Sequence, residues 1–228
     1  MQAGSKQLEV PIYVLNRDDA LDRLVAIWAD AERLGLRIER VGQTPTDDPA
    51  RDQLSIHVDA WSRIANGGSR FAIVLEDDVG LDERLLPLLD TTRLAGELRG
   101  DQVLNLDGGP SDPPGSTRII DAKQPPVSFG AYLLGRDVAE RLHALVEGAQ
   151  SIDEFFANLP EHDVQILVAT PPPVAGALSA TTEPDEGPWL TRMWRRLKGR
   201  DLEEVRPDHS VEREMAVPAI PLGVVAQD

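Results

Sequence analysis

Phe71-Ala-Ile-Val-Leu-Glu-Asp-Asp-Val79 decides how this chain is read. An unbroken apolar run, Phe71 to Leu75, is followed at once by Glu76, Asp77 and Asp78. Neither face of the run is polar, so it reads as a strand buried on both sides, as in a parallel sheet. Gly67-Gly68 marks the turn before it. Three carboxylates at the end of such a strand repel one another where water is scarce. Hard oxygen ligands of this kind suit Mg²⁺ or Mn²⁺, and the carboxyl edge of an open α/β sheet is where ligands bind. A solvated acidic turn is the plainer alternative.

Toward the amino terminus, Val10 to Leu15 predicts a first strand. Ala20, Leu21, Leu24, Ile27, Trp28, Ala31 and Leu34 then share one helical face, with Asp18 or Asp19 as cap and Gly35 as stop. Leu36 to Val41 predicts a second strand and Gly42 to Pro49 a loop. A second helix follows from about Arg51 to Asn66, with Leu54, Val58, Trp61 and Ala65 inward. This alternation implies parallel pairing through right-handed crossovers. No Gly-x-Gly-x-x-Gly follows the first strand and no Walker-type loop is present, which disfavours dinucleotide and P-loop chemistry.

Toward the carboxyl terminus, Gln102 to Leu106 predicts a strand running into Asp107-Gly-Gly-Pro110, and Gly108 to Ser116 an exposed loop. Phe129 to Leu134 predicts another strand, with Phe129 and Tyr132 in the core, and Asp137 to Glu147 a helix. Ser151 and Glu154 have capping-box spacing. Val164 to Ala169 is the last strand, stopped by Pro171-Pro-Pro173. The expected fold is α/β, a Rossmann-type, mostly parallel sheet with helices on both faces. It forms one domain over residues 1–180, followed by a tail, 181–228.

With 23 basic and 39 acidic residues the net charge is −16. That disfavours nucleic acid as a partner, because phosphate neutralisation needs Lys and Arg. The absence of cysteine excludes disulfides and thiol chemistry. No apolar run approaches the roughly 20 residues of a membrane span, and no signal-peptide core opens the chain. A cytoplasmic location is expected.

Four segments together resemble glycosyltransferase family 25, which includes lipooligosaccharide and collagen galactosyltransferases. They are Ile12-Tyr-Val-Leu-Asn16 with Asp22-Arg23; Ser55-Ile-His57 with Trp61; Phe71 to Val79; and Gly130-Ala-Tyr-Leu-Leu134 with Ala139-Glu-Arg-Leu142 and Ile152-Asp-Glu-Phe155. They keep the family's order and approximate spacing between Pro11 and Pro173. The resemblance implies a GT-A-like fold and a UDP-sugar donor. It further implies transfer of a hexose, galactose or glucose, with inversion, to a glycan, lipid-linked or peptide acceptor. A catalytically inactive member that binds a nucleotide sugar or a protein partner is the alternative, and metal-dependent phosphoryl or nucleotidyl transfer a third. An Mn²⁺ or Mg²⁺ ion would neutralise charge developing on the diphosphate. Asp78 is then the first candidate to ligate it, with Glu76 beside it. Glu76 and Asp77 are assigned to the ribose or to metal-bound water.

The remaining roles follow from position. An inverting transfer needs a carboxylate to take the acceptor's proton, and Asp153 and Glu154 are the candidates. Both also suit the start of a helix, where acidic groups are favoured. Asn16 and Arg17 end the first strand, where a base or ribose would be met, although Arg17 could instead pair with Asp18 or Asp19. His57 is assigned to the donor site, with simple packing beside Trp61 as the alternative. The chain departs from the family at four places, one being the apolar Val174-Ala-Gly-Ala-Leu178 where a late polar signature is usual. Asp48 to Leu54 replaces a Gly-x-x-Gly-Cys lead, Asp19 stands where a basic residue is usual, and Ile56 separates Ser55 from His57. In the tail, Trp189, Leu190, Met193, Trp194 and Leu197 share a helical face near 188–200. Arg192, Arg195, Arg196, Lys198 and Arg200 crowd the other side. That pattern predicts peripheral contact with the inner membrane face or an anionic acceptor through Trp189–Arg200, with packing on the domain as the alternative.

Overall fold

The computed structural model describes residues 10–108, 117–122, 126 and 128–175. The tail helix expected near 188–200 lies outside the described residues. The chain falls into two units, Met1–Pro184 and Asp185–Asp228, and everything described belongs to the first.

The order is β1 (Ile12–Arg17), α1 (Leu21–Arg33), β2 (Ile38–Gln43), α2 (Pro49–Asn66), β3 (Phe71–Glu76) and β4 (Gly80–Leu81). A 3₁₀ stretch (Glu83–Leu89) leads to α3 (Thr91–Glu97) and β5 (Gln102–Asn105). Then come β6 (Arg118–Asp121), β7 (Ala131–Gly135), α4 (Arg136–Leu145), α5 (Ile152–Asn158), β8 (Gln165–Thr170) and β9 (Val174–Ala175). Seven strands form one sheet in the order β2-β1-β3-β7-β5-β8-β6. The strands β2, β1, β3, β5 and β8 run one way, and β7 and β6 run against them. This is the expected α/β architecture.

Both faces of the central strands are dry, which is why β1 and β3 read as unbroken apolar runs. Tyr13, Leu15, Ala72 and Val74 pack with Trp61 of α2, Leu142 of α4 and Phe156 of α5 on one face. Ile12, Val14, Ile73 and Leu75 pack with Leu24 and Ile27 of α1 and Leu94 of α3 on the other. An aromatic group anchors the first face. Phe156 stacks on Phe129 at 4.0 Å and meets Trp61 and Tyr132 edge-on.

Local chemistry moved several boundaries. Leu36 was expected in β2 but closes α1: its N–H donates to the Ala31 carbonyl (2.8 Å) and Gly35 takes φ 69°, a Schellman ending. The strand therefore starts at Ile38. Neither Asp18 nor Asp19 caps α1, because Arg40 and Thr44 hold the first and Arg17 the second. Helix α2 begins earlier than Arg51, since Asp48 accepts from the Arg51 N–H (3.1 Å) and Pro49 is preset for a first turn. The β4–β9 ribbon, α3 and edge strand β6 were not foreseen.

Candidate active site at the carboxyl edge of the sheet

Chain order places the acidic residues. From β1 the chain passes to β2 on one side, then returns to β3 on the other. The sheet's switch point, where open α/β proteins form a crevice, therefore lies between the carboxyl ends of β1 and β3. Asn16 and Glu76–Asp78 stand there. Strand β7 enters from the same edge, and the Glu76 N–H donates to the Gly130 carbonyl at 2.6 Å. Strand β5 ends one strand further on, bringing Asp107 to that edge.

The side chains differ in how far the protein has used them. Asn16 is 1% exposed. Its amide donates to the Ala20 carbonyl (2.7 Å) and to Asp77 Oδ2 (2.6 Å), and its oxygen accepts from Arg40 Nε (2.9 Å). Asn16 was expected to meet a base or ribose. Both amide hydrogens are spent internally, so it braces Asp77 from behind. Asp77 is 6% exposed and also pairs with Arg23 at 3.2 Å. Burial pushes its carboxyl up, Asp78 and Glu76 add to that, and Asn16 and Arg23 pull the other way.

Glu76 Oε1 accepts from Gln53 Nε2 at 3.1 Å and lies 3.5 Å from His57 Nε2. Burial works against its charge, yet His57, Gln53 and Arg23 outweigh it, and its pKa falls below the ordinary range. Asp78 is half-buried, and no side chain among the described residues hydrogen-bonds to it. Burial pushes its carboxyl up, Glu76 adds to the push, and Arg23 opposes. Among the described residues no three His, Asp or Glu side chains are gathered so as to hold a metal ion by themselves.

The other expected residues are spread around this cluster. His57 is 0% exposed, under Glu76 rather than open to a ligand, with Nδ1 2.9 Å from the Tyr132 hydroxyl. Arg17 makes a two-pronged contact with Asp19 (2.8 and 3.1 Å) at the surface. Asp153 and Glu154 are exposed in the first turn of α5, where Ser151 Oγ accepts from the Glu154 N–H. No described hydrogen bond or ion pair joins either to the β3 cluster.

Several residues here had no expected role. Arg23 was legible only as part of a motif, and Gln53 carried no signal of its own. Arg40, from β2, reaches across to Asn16 and to Asp18 (2.6 Å), and so supplies positive charge at the end of β1. Gly42 leaves room for it, since a Cβ there would sit 2.8 Å from the Arg40 guanidinium. Asp107 accepts from Ser128 Oγ at 2.7 Å, while its buried Oδ1 has no hydrogen-bond partner among the described residues. Burial pushes this carboxyl up as well. A cleft of about 750 Å³ lies elsewhere, lined by Arg93, Arg99, Gln102, Arg118 and Asp121 among others, near the start of β5. Arg93 is already spent there on Glu97 and the Thr117 carbonyl. The chemistry-bearing carboxylates are at the other end of the strand.

What fold and site define is an α/β protein with a cluster of carboxylates at the switch point of its sheet. No protein-family model matches the chain, and no curated protein matches its sequence. Solved structures similar to it include a glycosyltransferase involved in glycosylation of the major capsid of PBCV-1. That match has 9% identity, covers 75% of this chain and 94% of that one, and has a TM-score of 0.45. Another is the apo-form glycosyltransferase GlyE of Streptococcus pneumoniae TIGR4, at 10% identity, 82% and 60% coverage, and TM-score 0.47. A third is a nucleotidyl transferase from Methanothermobacter, at 14% identity, 72% and 88% coverage, and TM-score 0.42.

Proposed function

We propose that the chain is a glycosyltransferase that moves a hexose from a UDP-sugar to a hydroxyl acceptor, with a divalent cation at Asp78. The observation that carries this reading is the inequality of the three carboxylates. Glu76 and Asp77 are held by side-chain hydrogen bonds, whereas among the described residues no side chain hydrogen-bonds to the half-buried Asp78, so a cation there would relieve a charge that burial disfavours. Mg²⁺ in particular is commonly bound through one or two carboxylates plus substrate phosphates, which suits a site without a protein cage. The donor set therefore fits an ion that arrives with a diphosphate. When bound, the ion would neutralise charge on the departing diphosphate.

The protein's own part is to orient and to accept a proton. Arg23 and Asn16 hold Asp77, and Gln53 holds Glu76 with His57 3.5 Å from the same oxygen, so most of the cluster is in place before a ligand arrives. Asp153 remains the proposed base, with Glu154 beside it. Asp107 is the second candidate, because a carboxylate raised by burial is a better proton acceptor. Comparing Asp153→Asn with Asp107→Asn separates them, since only loss of the true base removes transfer while leaving donor affinity intact.

Thermal shift with UDP, UDP-galactose, UDP-glucose and UDP-N-acetylglucosamine, each with and without Mn²⁺, tests the whole reading. A Mn²⁺-dependent rise in midpoint with one sugar is expected. Its absence with every ligand would overturn the donor assignment. Binding without turnover on any acceptor would favour the inactive, ligand-binding alternative. Vesicle binding by the full chain and by a chain ending at Thr182 tests the proposed membrane contact of Trp189–Arg200. Equal binding by both would refute it.

A further inference from the structure

Behind Glu76 lies a buried chain of polar groups whose hydrogens can be placed by accounting. Trp61, Tyr132 and His57 are each 0% exposed. An indole N–H can only donate, so Trp61 Nε1 donates to the Tyr132 oxygen at 2.8 Å. His57 Nδ1 lies 2.9 Å from the same oxygen. If Nδ1 carried a hydrogen, that oxygen would accept twice and the tyrosine's own hydrogen would have no acceptor among the described residues. A buried donor left unpaired loses its hydration with nothing in return, so that arrangement is disfavoured. The tyrosine hydrogen therefore points at Nδ1, and burial keeps it in place by pushing the phenol well above its ordinary range.

One ring hydrogen then remains, on Nε2. That nitrogen is buried and makes no hydrogen bond, and Glu76 Oε1 stands before it at 3.5 Å. The gap is a few tenths of an ångström beyond a good bond, as expected of a site whose contacts tighten when a ligand binds. Gln53 also donates to Oε1, at 3.1 Å, so both donors address one oxygen of the carboxylate.

We propose that Tyr132 is a positioning residue. Its hydroxyl, fixed by Trp61, holds His57 as the Nε2–H tautomer, which commits Glu76 Oε1 to the protein and leaves Oε2 for a cation or a hydroxyl of the ligand. The tautomer stands on hydrogen-bond accounting alone, whereas its consequence for a ligand rests on the transferase reading above.

The test is a long-range ¹H–¹⁵N correlation of the full chain labelled at histidine, with His57 assigned through His57→Gln. The expected spectrum shows His57 neutral, hydrogen on Nε2 and Nδ1 as an acceptor. A hydrogen on Nδ1, or on both nitrogens at neutral pH, overturns the proposal without any variant having to fold. Tyr132→Phe should abolish the single-tautomer pattern, and an unchanged pattern would remove the role given to Tyr132. Titration calorimetry with Mn²⁺ and UDP should show roughly 10-fold or weaker binding for His57→Leu. His57→Gln, which keeps an N–H near the Nε2 position, should largely restore it. Equal affinity for His57→Leu and wild type would overturn the claim on Glu76. If wild type itself binds neither Mn²⁺ nor UDP, the transferase reading falls while the tautomer result still stands.

Discussion

Replacing Asn16 by Ala should be among the costlier single changes at this edge, although it removes little apolar contact. Three hydrogen bonds go at once. The bond to the Ala20 carbonyl is neutral, and a bond of that kind is worth about 1 kcal/mol net. The bonds to Asp77 and from Arg40 involve charged partners, for which about 1.5–3 kcal/mol each is typical. The Arg40 loss is smaller in practice, because that side chain already holds Asp18 at 2.6 Å and is 22% exposed, so water can replace Asn16. Asp77 cannot recover in this way, being 6% exposed with only Arg23 left. A total near 3–4 kcal/mol follows, a large share of the roughly 5–15 kcal/mol that holds a domain together. The sign of the pH dependence is also set. Asn16 pulls the Asp77 pKa down, so its contribution through the charged form is present above that pKa and lost as pH falls through it. Urea unfolding of Asn16→Ala at neutral and acidic pH should therefore show a deficit that narrows in acid. A double-mutant cycle with Asp77→Ala should give a coupling of at least about 0.5 kcal/mol. A loss below about 1 kcal/mol at neutral pH, with no coupling, would refute the brace.

Asp78→Asn should raise the thermal midpoint of the ligand-free protein, because burial and Glu76 both oppose the native charge. A folded pKa raised above the unfolded one means the penalty is absent in acid and grows as pH rises past the unfolded value. The gain should therefore appear near neutrality and vanish in acid, together with any Mn²⁺-dependent shift; a lowered midpoint would contradict it. Gly130→Ala would set a Cβ 3.1 Å from Asp107 Oδ2 and 3.4 Å from Val79 Cγ1, at a cost of about 1–3 kcal/mol. Denaturant titration that finds no loss would show that the two loops yield freely. Phe156→Ala removes the ring stacked 4.0 Å from Phe129 and should cost about 3–5 kcal/mol, read by the same titration. A loss under about 1 kcal/mol would mean the aromatic group is not the anchor described.

The amino-terminal half was legible because its signals are local. Apolar runs buried on both faces announced β1 and β3, and 3.6-residue periodicity announced α1 and α2. Glycine and proline punctuation set most of the ends. Where legibility failed, a long-range partner had intervened. Asp18 has the chemistry of a helix cap, but Arg40 from the next strand claims it. His57 was assigned to the donor site with packing beside Trp61 as the alternative, and its contact with the Tyr132 hydroxyl, far along the chain, has no local signal. Strand β6 has too few residues to show a period and is recognisable only through its pairing with β8. Asp107 lay in plain view at the end of a predicted strand. Its relevance depends on β7 running antiparallel between β5 and β3, and no local pattern encodes that direction.

The electrostatics of the edge explain why its residues are placed at some cost to stability. A chain of net charge −16 could have spread its carboxylates over the surface, where each is solvated almost for free. Instead Asp77, Asp78 and Asp107 are carried on loops at the carboxyl ends of β3 and β5, and burial raises all three pKa values. Arg23 and Arg40 offset only part of this: they contact Asp77, Asn16 and Asp18, and among the described residues neither forms an ion pair with Asp78, on which Arg23 acts only from a distance. A fold selected for stability alone would supply the missing partner, since a neutral or paired residue at 78 removes the penalty. Keeping a poorly compensated carboxylate beside a depressed Glu76 and a braced Asp77 is coherent if positive charge is delivered with the ligand. On that argument, stability and ligand affinity should move in opposite directions at Asp78 and in the same direction at Asn16. A site serving only the fold would show no such split.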